Sequence, residues 1–329
     1  MRLPFIPEKP AYPFMAWRKR GFAFSAVLMV ASVLCYFVFG LNYGIDFRGG
    51  VVLDVGTQEK ADVAAFRDHF SSLDLGEVRI QLIEDIAESE EESGKNVLIR
   101  VERQPGGDAA QQEAIVRIKG TLASYYGETL DYRRTEAVGP TVGAELKTAG
   151  VQAVVFALLA MLVYIWFRFE WQFSIGAVAA LAHDVMATIG LFAVTQLEFN
   201  LATVAAILLI VGYSMNDTVV VYDRVRENLR KYKKMELIDL LSRSINDTLS
   251  RTLMTSITTL LALLALWVFG GPVIRDFCFA MIWGVLIGTY SSIFIAAPLL
   301  IQFGLESLGR RARVVSAPHQ PQEVPPADG

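Results

Sequence analysis

The sequence predicts an α-helical membrane protein with six transmembrane helices and a small external α+β domain between the first two. Three observations support this. Hydrophobic residues make up 53% of the 329 residues, and the mean hydropathy is +0.40. Six apolar runs are each long enough to cross a bilayer as a helix. A polar stretch between the first two runs has the periodicity of a small folded domain instead.

The six apolar runs cover residues 21–42, 146–167, 173–195, 201–222, 252–271 and 277–304. The first follows a basic start, residues 1–20, and has no small-residue cleavage site at its end. We therefore expect an uncleaved anchor rather than a signal peptide. Cys35 and Cys278 both lie inside spans, so no disulfide framework is indicated.

Lysine and arginine are unevenly distributed between the two ends of the spans. They concentrate in residues 1–20, in the segment 223–250 between spans four and five, and after the last span. The short loops at 196–200 and 272–276 contain only Arg275. By the positive-inside rule, we expect a multi-pass membrane protein with both termini in the cytoplasm and the region between the first two spans outside.

The external region, residues 43–143, predicts a ferredoxin-like β-α-β-β-α-β domain. Strands are expected at 51–55, 78–83, 96–101 and 130–137. The first helix is expected to be capped by Thr57, and the second to bury Ile115, Ile118, Leu122 and Tyr125 on one face. The region contains 19 acidic and 11 basic residues, which argues against a nucleic-acid partner.

Two cytoplasmic segments complete the organisation. Within 223–250, Met235, Ile238, Leu241 and Ile245 recur at three- and four-residue steps, which predicts an amphipathic helix on the membrane surface. The tail 306–329 is predicted to be largely disordered, because its last part, residues 314–329, is rich in Pro, Gln and Glu.

Asp217 is the candidate that matters most, because it places a carboxylate inside the fourth span. An ionisable group at such depth costs roughly 3 kcal/mol or more, so it usually faces the bundle interior and serves ion or proton movement. The alternative is a carboxylate that is merely paired for packing. The supporting polar residues around it are Tyr213, Asn216, Thr218 and, on span five, Thr255.

Two further elements bring polar groups to the membrane. His183 and Asp184 lie near the centre of span three, on or beside a stripe of small residues that lets helices approach closely. Arg251 begins span five and is long enough to reach towards Asp217. Each has a plain alternative. The His183–Asp184 pair could be an interhelical hydrogen bond, and Arg251 could be an ordinary cytoplasmic anchor.

Span six carries Gly284, Gly288, Ser292 and Ala296, a small residue every four, which predicts a close-packing seam.

The sequence contains none of the common catalytic motifs. It has no phosphate-binding Gly-x-x-x-x-Gly-Lys-Ser/Thr loop and no His/Cys cluster, so we expect neither direct nucleotide use nor a metal site. An intramembrane aspartyl protease would pair two carboxylates, but the Gly-x-Gly-Asp setting of that class is absent.

Several motifs together resemble the SecF family, membrane subunits that work with SecD beside the bacterial Sec translocon. The matching segments are 44–50 (GIDFRGG), 138–146 (VGPTVGAEL), 182–184 (AHD), 212–228 (GYSMNDTVVVYDRVREN), Arg251-Thr252 and Gly271-Pro272. The resemblance covers about residues 15–305 and implies the resistance-nodulation-division superfamily, with six helices forming one pseudo-symmetric half of a twelve-helix unit.

The resemblance also implies roles for residues. Asp217 matches the family's intramembrane proton carrier and Arg251 its basic partner. Asp184 and His183 are further relay candidates because of their position inside span three, not because of the resemblance. The matching connector residues, implied to hinge the external domain, are Gly44, Asp46, Arg48, Gly49, Gly50, Gly139, Pro140 and Gly143.

The expected function is proton-driven assistance to the late steps of protein export across the inner membrane, with no enzymatic activity and no cofactor besides the proton gradient. The implied partners are SecD, the SecYEG translocon, YajC, YidC, translocating unfolded polypeptide and membrane lipid. Two alternatives stay open at this point: a passive scaffold subunit of the translocase, and a small-molecule proton-antiport exporter of the same superfamily.

Overall fold

A computed structural model describes residues 10–57, 60–71, 73, 75–76, 78–83, 95–127, 130–270 and 272–303. The predicted disordered tail therefore lies outside the described residues. The helices are α1 (Arg18–Phe39), α2 (Ile45–Arg48), α3 (Val63–Ser71), α4 (Asp108–Tyr126), α5 (Pro140–Arg168), α6 (Trp171–Thr195), α7 (Leu201–Lys231), α8 (Leu237–Phe269), α9 (Pro272–Ser291) and α10 (Ala297–Gln302). The strands are β1 (Asn42–Tyr43), β2 (Gly50–Gly56), β3 (Val78–Ile83), β4 (Asn96–Val101), β5 (Asp131–Val138) and β6 (Glu198–Phe199).

Within the described residues, six helical segments are long and apolar enough to cross a membrane, as the sequence predicts. They are Phe14–Phe39, Thr141–Arg168, Trp171–Thr195, Leu201–Lys231, Leu237–Phe269 and Ile274–Gln302. The third, fourth and sixth are the most buried inside the protein. These three form the centre of the bundle, and the other three present larger apolar surfaces to their surroundings.

Glycines and serines set the closest helix contacts in the bundle. On α9, Gly284 lies against Ile210 and Gly288 against Ser214, so the seam of small residues on span six packs on α7 of the same chain. On α6, Gly190 lies against Ser32 of α1. The small side chains allow these backbones to approach, which is how helices associate without a hydrophobic driving force.

A π-helical turn, Ser292–Ala296, interrupts the sixth span before α10. Pro298 follows it in the first turn of α10 and has no amide hydrogen to donate. The turn presents the carbonyl of Ala296 to the hydroxyl of Tyr222 on α7, at 3.1 Å. This break in regular helix therefore contributes a further contact between the sixth span and α7.

The external domain is the predicted ferredoxin-like fold. Its described strands form an antiparallel sheet in the order β3-β4-β2-β5, which is the order that a split β-α-β topology produces. The central strand β2 is buried along its whole length. Its apolar residues pack with Phe66 and Phe70 of α3 and Ile118 and Leu122 of α4 in one core.

Two local details of this domain differ from the sequence-based expectation. Thr57 does not cap α3, because its hydroxyl donates to the carbonyl of Lys95. Asp62 accepts the amide hydrogens of Ala64 and Ala65 in its place. Tyr125 is 61% exposed and stacks on His69. The next residue, Tyr126, stacks on buried Phe66 at 4.8 Å between ring centroids.

The segment 223–250, which the sequence predicts to be cytoplasmic, does not form a separate surface helix. Helix α7 continues to Lys231, and after a short turn α8 runs without interruption from Leu237 into the fifth span. Of the predicted apolar positions, Leu241 and Ile245 are buried in the core of the bundle and Met235 packs against it, whereas Ile238 is 36% exposed. The apolar periodicity therefore describes a helical hairpin that packs on its own chain. A helix that packs on its own chain and a helix that lies on lipid both need an apolar stripe on one face, so the sequence pattern is the same for both.

The connector between α1 and the domain is held in place by several backbone contacts. β1 pairs in parallel with β6, which precedes α7. Gly49 and Gly50 have φ angles of 74° and 134°, which favour glycine over any residue with a Cβ. A Cβ on Gly143, in the first turn of α5, would lie 3.2 Å from the backbone of Phe47. The two predicted connectors thus pack on each other.

Candidate functional site

The first turn of α7 is held by two side chains, one from the residue just before the helix and one from the connector. Asn200 accepts the amide hydrogen of Thr203 at 3.0 Å in a capping box. Asp46 of the connector accepts the amide hydrogen of Leu201 at 2.8 Å. A carboxylate is favoured here because the first turn of a helix has free N–H groups and a partial positive charge. The connector and α7 are therefore joined directly.

Asp217 lies on the buried face of α7 and is 2% exposed. Its Oδ2 is buried and has no hydrogen-bond partner among the described residues. Most buried polar atoms have a partner, so a buried carboxylate oxygen without one is unusual. The sequence correctly places this side chain inside the bundle rather than against lipid.

The antiparallel packing of α7 and α8 fixes the depth of Asp217. Asn228 donates to Ser244 at 2.9 Å near the start of the hairpin. Asp217 lies eleven residues before Asn228 on α7, and Thr255 lies eleven residues after Ser244 on α8. The two residues are therefore at a similar distance from the hairpin and at a similar depth in the membrane. Arg251 is one turn, about 6 Å, nearer the hairpin. It is exposed and interacts electrostatically with Asp217, but it gives no hydrogen bond to Oδ2 within the described residues.

The predicted supporting residues divide into two groups. The hydroxyls of Tyr213 and Thr218 are buried without a partner in the described part of the chain. The Thr255 hydroxyl donates to the carbonyl of Thr252, in its own helix, at 2.9 Å. Asn216 is exposed on the outer face of α7. Thr218 is therefore buried in the bundle, Tyr213 and Thr255 are half-buried, and Asn216 faces outwards.

Asp184 is the centre of a second buried polar group, here called the Asp184 cluster (His183, Asp184, Ser214 and Ser291). Asp184 is fully buried. Its Oδ2 accepts hydrogen bonds from Ser214 of α7 at 2.6 Å and from Ser291 of α9 at 2.7 Å. Its Oδ1 lies 3.1 Å from Nδ1 of His183. The cluster therefore joins α6, α7 and α9 through one carboxylate.

His183 extends this cluster towards α1. Its ring lies 6.2 Å from that of Tyr290. The Tyr290 hydroxyl donates to the carbonyl of Gly21 at 2.7 Å and lies 3.0 Å from the hydroxyl of Ser25. His183 Nε2 is buried without a partner among the described residues. Tyr290 lies on α9, so the polar groups of the bundle run from α1 through α9 and α6 to α7.

The two aspartates differ in their surroundings although both are buried. Each Asp184 oxygen has a polar neighbour, so this carboxylate joins three helices. Asp217, three residues beyond Ser214 on α7, has a free oxygen inside the protein. A group with an unsatisfied oxygen can gain and lose a proton without first breaking hydrogen bonds to that oxygen. The roles of Asp217, Arg251, Asp184 and His183 in a relay stay predictions.

Sequence reasoning missed Ser291 of the Asp184 cluster. The available signal was its position next to Ser292, inside the small-residue stripe of span six. That stripe indicated close packing but not a hydrogen bond to a carboxylate on another helix. It also missed the ion pair between Arg100 of β4 and Glu198 of β6, which joins the external domain to the loop before α7. The only sequence signal for this ion pair was the presence of an acidic residue, Glu198, in a short external loop.

Comparisons with known proteins agree with one another over most of the chain. Residues 118–306 match the family described as protein export membrane protein SecD/SecF, C-terminal, and residues 37–61 match the SecD/SecF GG motif. The protein translocase subunit SecF of Rhodobacter capsulatus is 45% identical over 93% of this chain and 92% of its own. That of Rickettsia rickettsii is 43% identical over 92% and 94%.

Solved structures give the same result for the fold. The crystal structure of SecDF, a translocon-associated membrane protein from Thermus thermophilus, matches 89% of this chain with a TM-score of 0.75 and 35% identity. SecDF in a super-membrane-facing form matches 95% with a TM-score of 0.67 and 33% identity. The match spans 39% and 41% of those longer SecDF chains. From its sequence relatives and its fold, the chain belongs to the SecF family of protein translocase subunits.

Proposed function

We propose that this chain is a proton-motive-force-driven accessory subunit of the Sec translocase that assists late steps of export together with SecD. It acts as a multi-pass inner-membrane protein with both termini in the cytoplasm. One observation carries the proposal: Asp217 is 2% exposed in a membrane-spanning helix and has a buried oxygen without a hydrogen-bond partner in the described chain. Such a carboxylate is expected to serve proton movement.

The proton gradient supplies enough energy to change a helix arrangement. Moving one charge across the membrane is worth about 2.3 kcal/mol per 100 mV. Two conformations that differ by a few kcal/mol can be biased by that amount. Helix α7 carries Asp217 and begins at the amide held by Asp46 of the connector. A shift of α7 would therefore be passed to the external domain, and this domain would act on translocating polypeptide.

The exposed face of α7 supports SecD as the direct partner. Ala205, Leu209, Gly212 and Asn216 are exposed along one stripe of this span. An amide that faces lipid in mid-membrane is unfavourable, so Asn216 is best satisfied by another helix. Small residues at positions 205 and 212 allow such a helix to approach. SecDF chains are more than twice as long as this one. In our proposal, SecD corresponds to the part of those chains that has no match here and supplies the second half of the helix bundle.

The wider assembly follows from this role. SecYEG, YajC and YidC are proposed as further partners, and the proton gradient replaces a cofactor as the energy source.

The experiment that tests the function measures export of a secretory protein into inverted membrane vesicles with and without a proton gradient. We expect vesicles that lack this chain to lose the gradient-dependent part of export. Equal gradient dependence with and without the chain would contradict the proposal.

Replacing Gly212 with Leu is expected to leave the chain folded but to prevent SecD from co-purifying. Apart from the adjacent part of its own helix, no atom of the described chain lies within 4 Å of a Cβ built at this position, so the larger side chain is tolerated within the subunit. It would project from the stripe on α7 and keep the partner helix away. Co-purification from mild detergent measures the effect. The matched control is Ala160→Leu, an exposed small residue on α5, and equal SecD recovery from both variants would refute the interface.

A further inference from the structure

An apolar crevice lies between α1 and α5 on the outside of the bundle, with α6 and α7 as its floor. Its volume is about 370 Å³. The side chains that line it include Val33, Phe37, Val151, Val154, Ile189 and Ile207. Phe37 and Val151 are 78% and 62% exposed, so the crevice is open on the side that faces lipid. Gly150 and Ser32 also line it, and their small size contributes to its depth.

The crevice extends through most of one leaflet of the membrane. On α5 its lining runs from Lys147 to Val155, eight residues or about 12 Å along the helix axis. One leaflet of hydrocarbon is about 15 Å thick. The crevice begins at the end where α1 leads into the external domain, so in the orientation proposed above it lies in the outer leaflet. Its length and apolar lining fit a single hydrocarbon chain.

Positive charge is concentrated at the outer end of the crevice. Lys147 lies at the rim with its Nζ 4.3 Å from the centre of the Tyr43 ring. Tyr43 is also part of the wall of a second cavity, of about 320 Å³, under the external domain. Its charged lining residues are Arg48, Arg79, Arg100, Arg103, Glu102 and Glu198. Four arginines against two glutamates leave this cavity basic.

We propose that the crevice binds an anionic phospholipid of the outer leaflet, with one acyl chain between α1 and α5 and the phosphate at Lys147 beside the basic cavity. Apolar length and terminal positive charge together match an amphipathic anion with a long chain. A protein helix is a poorer occupant, because helices with their side chains are about 10 Å or more across. The face of α7 offered to SecD is also distinct, since Val204 and Ile207 line the crevice while Gly212 and Asn216 face elsewhere.

The test counts lipids bound to the full chain by native mass spectrometry in mild detergent, after addition of phosphatidylglycerol or phosphatidylcholine. Lys147→Gln is expected to lower phosphatidylglycerol binding about fivefold, the effect of one basic residue at a lipid surface, and Lys147→Arg to restore it. Phosphatidylcholine binding should hardly change. Lys119→Gln is the matched control, because Lys119 makes the same kind of contact with Tyr132, at 5.0 Å, in the external domain.

Filling the crevice tests the acyl-chain part separately. Val151→Trp is expected to reduce binding of both lipids, and Val33→Trp does the same from the opposite wall. Leu159→Trp, an exposed position on α5 outside the crevice, should bind lipid like the wild type. The proposal is overturned if Val151→Trp and Val33→Trp both retain lipid, or if Lys147→Gln keeps full phosphatidylglycerol binding. A stoichiometric polypeptide lost only from the filled variants would also overturn it.

Discussion

Asp217→Asn is expected to reduce gradient-dependent export to the level of vesicles that lack the chain. An amide has nearly the same shape as the carboxyl group but cannot exchange a proton at the pH of the cell. Oδ2 has no hydrogen-bond partner in the described part of the protein, so the substitution breaks no bond at that atom. Export measured after the gradient is collapsed should be unchanged. The measurement is the ratio of the two export rates for wild type and variant.

Two controls separate this result from a structural defect. Asp223→Asn changes the same chemical group on the same helix, but Asp223 is exposed and pairs with Arg168 at 3.0 Å. Exposed ion pairs contribute about 0–1 kcal/mol, so this variant should export normally. SecD should co-purify equally with wild type and Asp217→Asn. Loss of SecD from Asp217→Asn would favour the passive scaffold, and undiminished gradient dependence would exclude Asp217 as the proton carrier.

The features that the sequence predicted well are those with a local, one-dimensional signal. A membrane span needs about 20 apolar residues, and a carboxylate such as Asp217 inside one is visible without coordinates. The order of strands and helices in the external domain also follows from alternating periodicities. Burial of Asp217 was predictable because lipid gives an isolated acid no partner, which leaves the bundle interior as the favourable place.

Other features depend on which helices become neighbours, and no local pattern reports that. Ser291 meets Asp184 across 107 positions of sequence. Arg100 reaches Glu198 only because the domain sits over the loop before α7. The amphipathic pattern of segment 223–250 predicts a helix on the membrane surface, because such a pattern does not distinguish lipid from protein as the apolar partner. Its continuity with α7 and α8 is set by tertiary packing.

Gly190→Val is expected to have the largest effect on folding, because it separates α1 from α6. A Cβ at Gly190 would lie 2.7 Å from the backbone Cα of Ser32. A flexible side chain could move away from such a contact, but the backbone of a helix cannot. Overpacking in a packed core typically costs about 1–3 kcal/mol, and we expect the upper end of that range here. The variant should be recovered mainly as aggregated or protease-sensitive chain in mild detergent.

Gly120→Val is the matched control, since no described atom beyond the adjacent part of its own helix lies within 4 Å of a Cβ at that glycine of the external domain. It should elute from size exclusion as wild type does. Wild-type elution of Gly190→Val would show that α1 can shift without loss of the bundle. That outcome would also bear on coupling, because α1 leads through Asn42 and Tyr43 into the connector that holds α7. A mobile α1 would give the external domain a second route of movement, independent of Asp217, whereas a fixed α1 leaves α7 as the element through which proton binding can act.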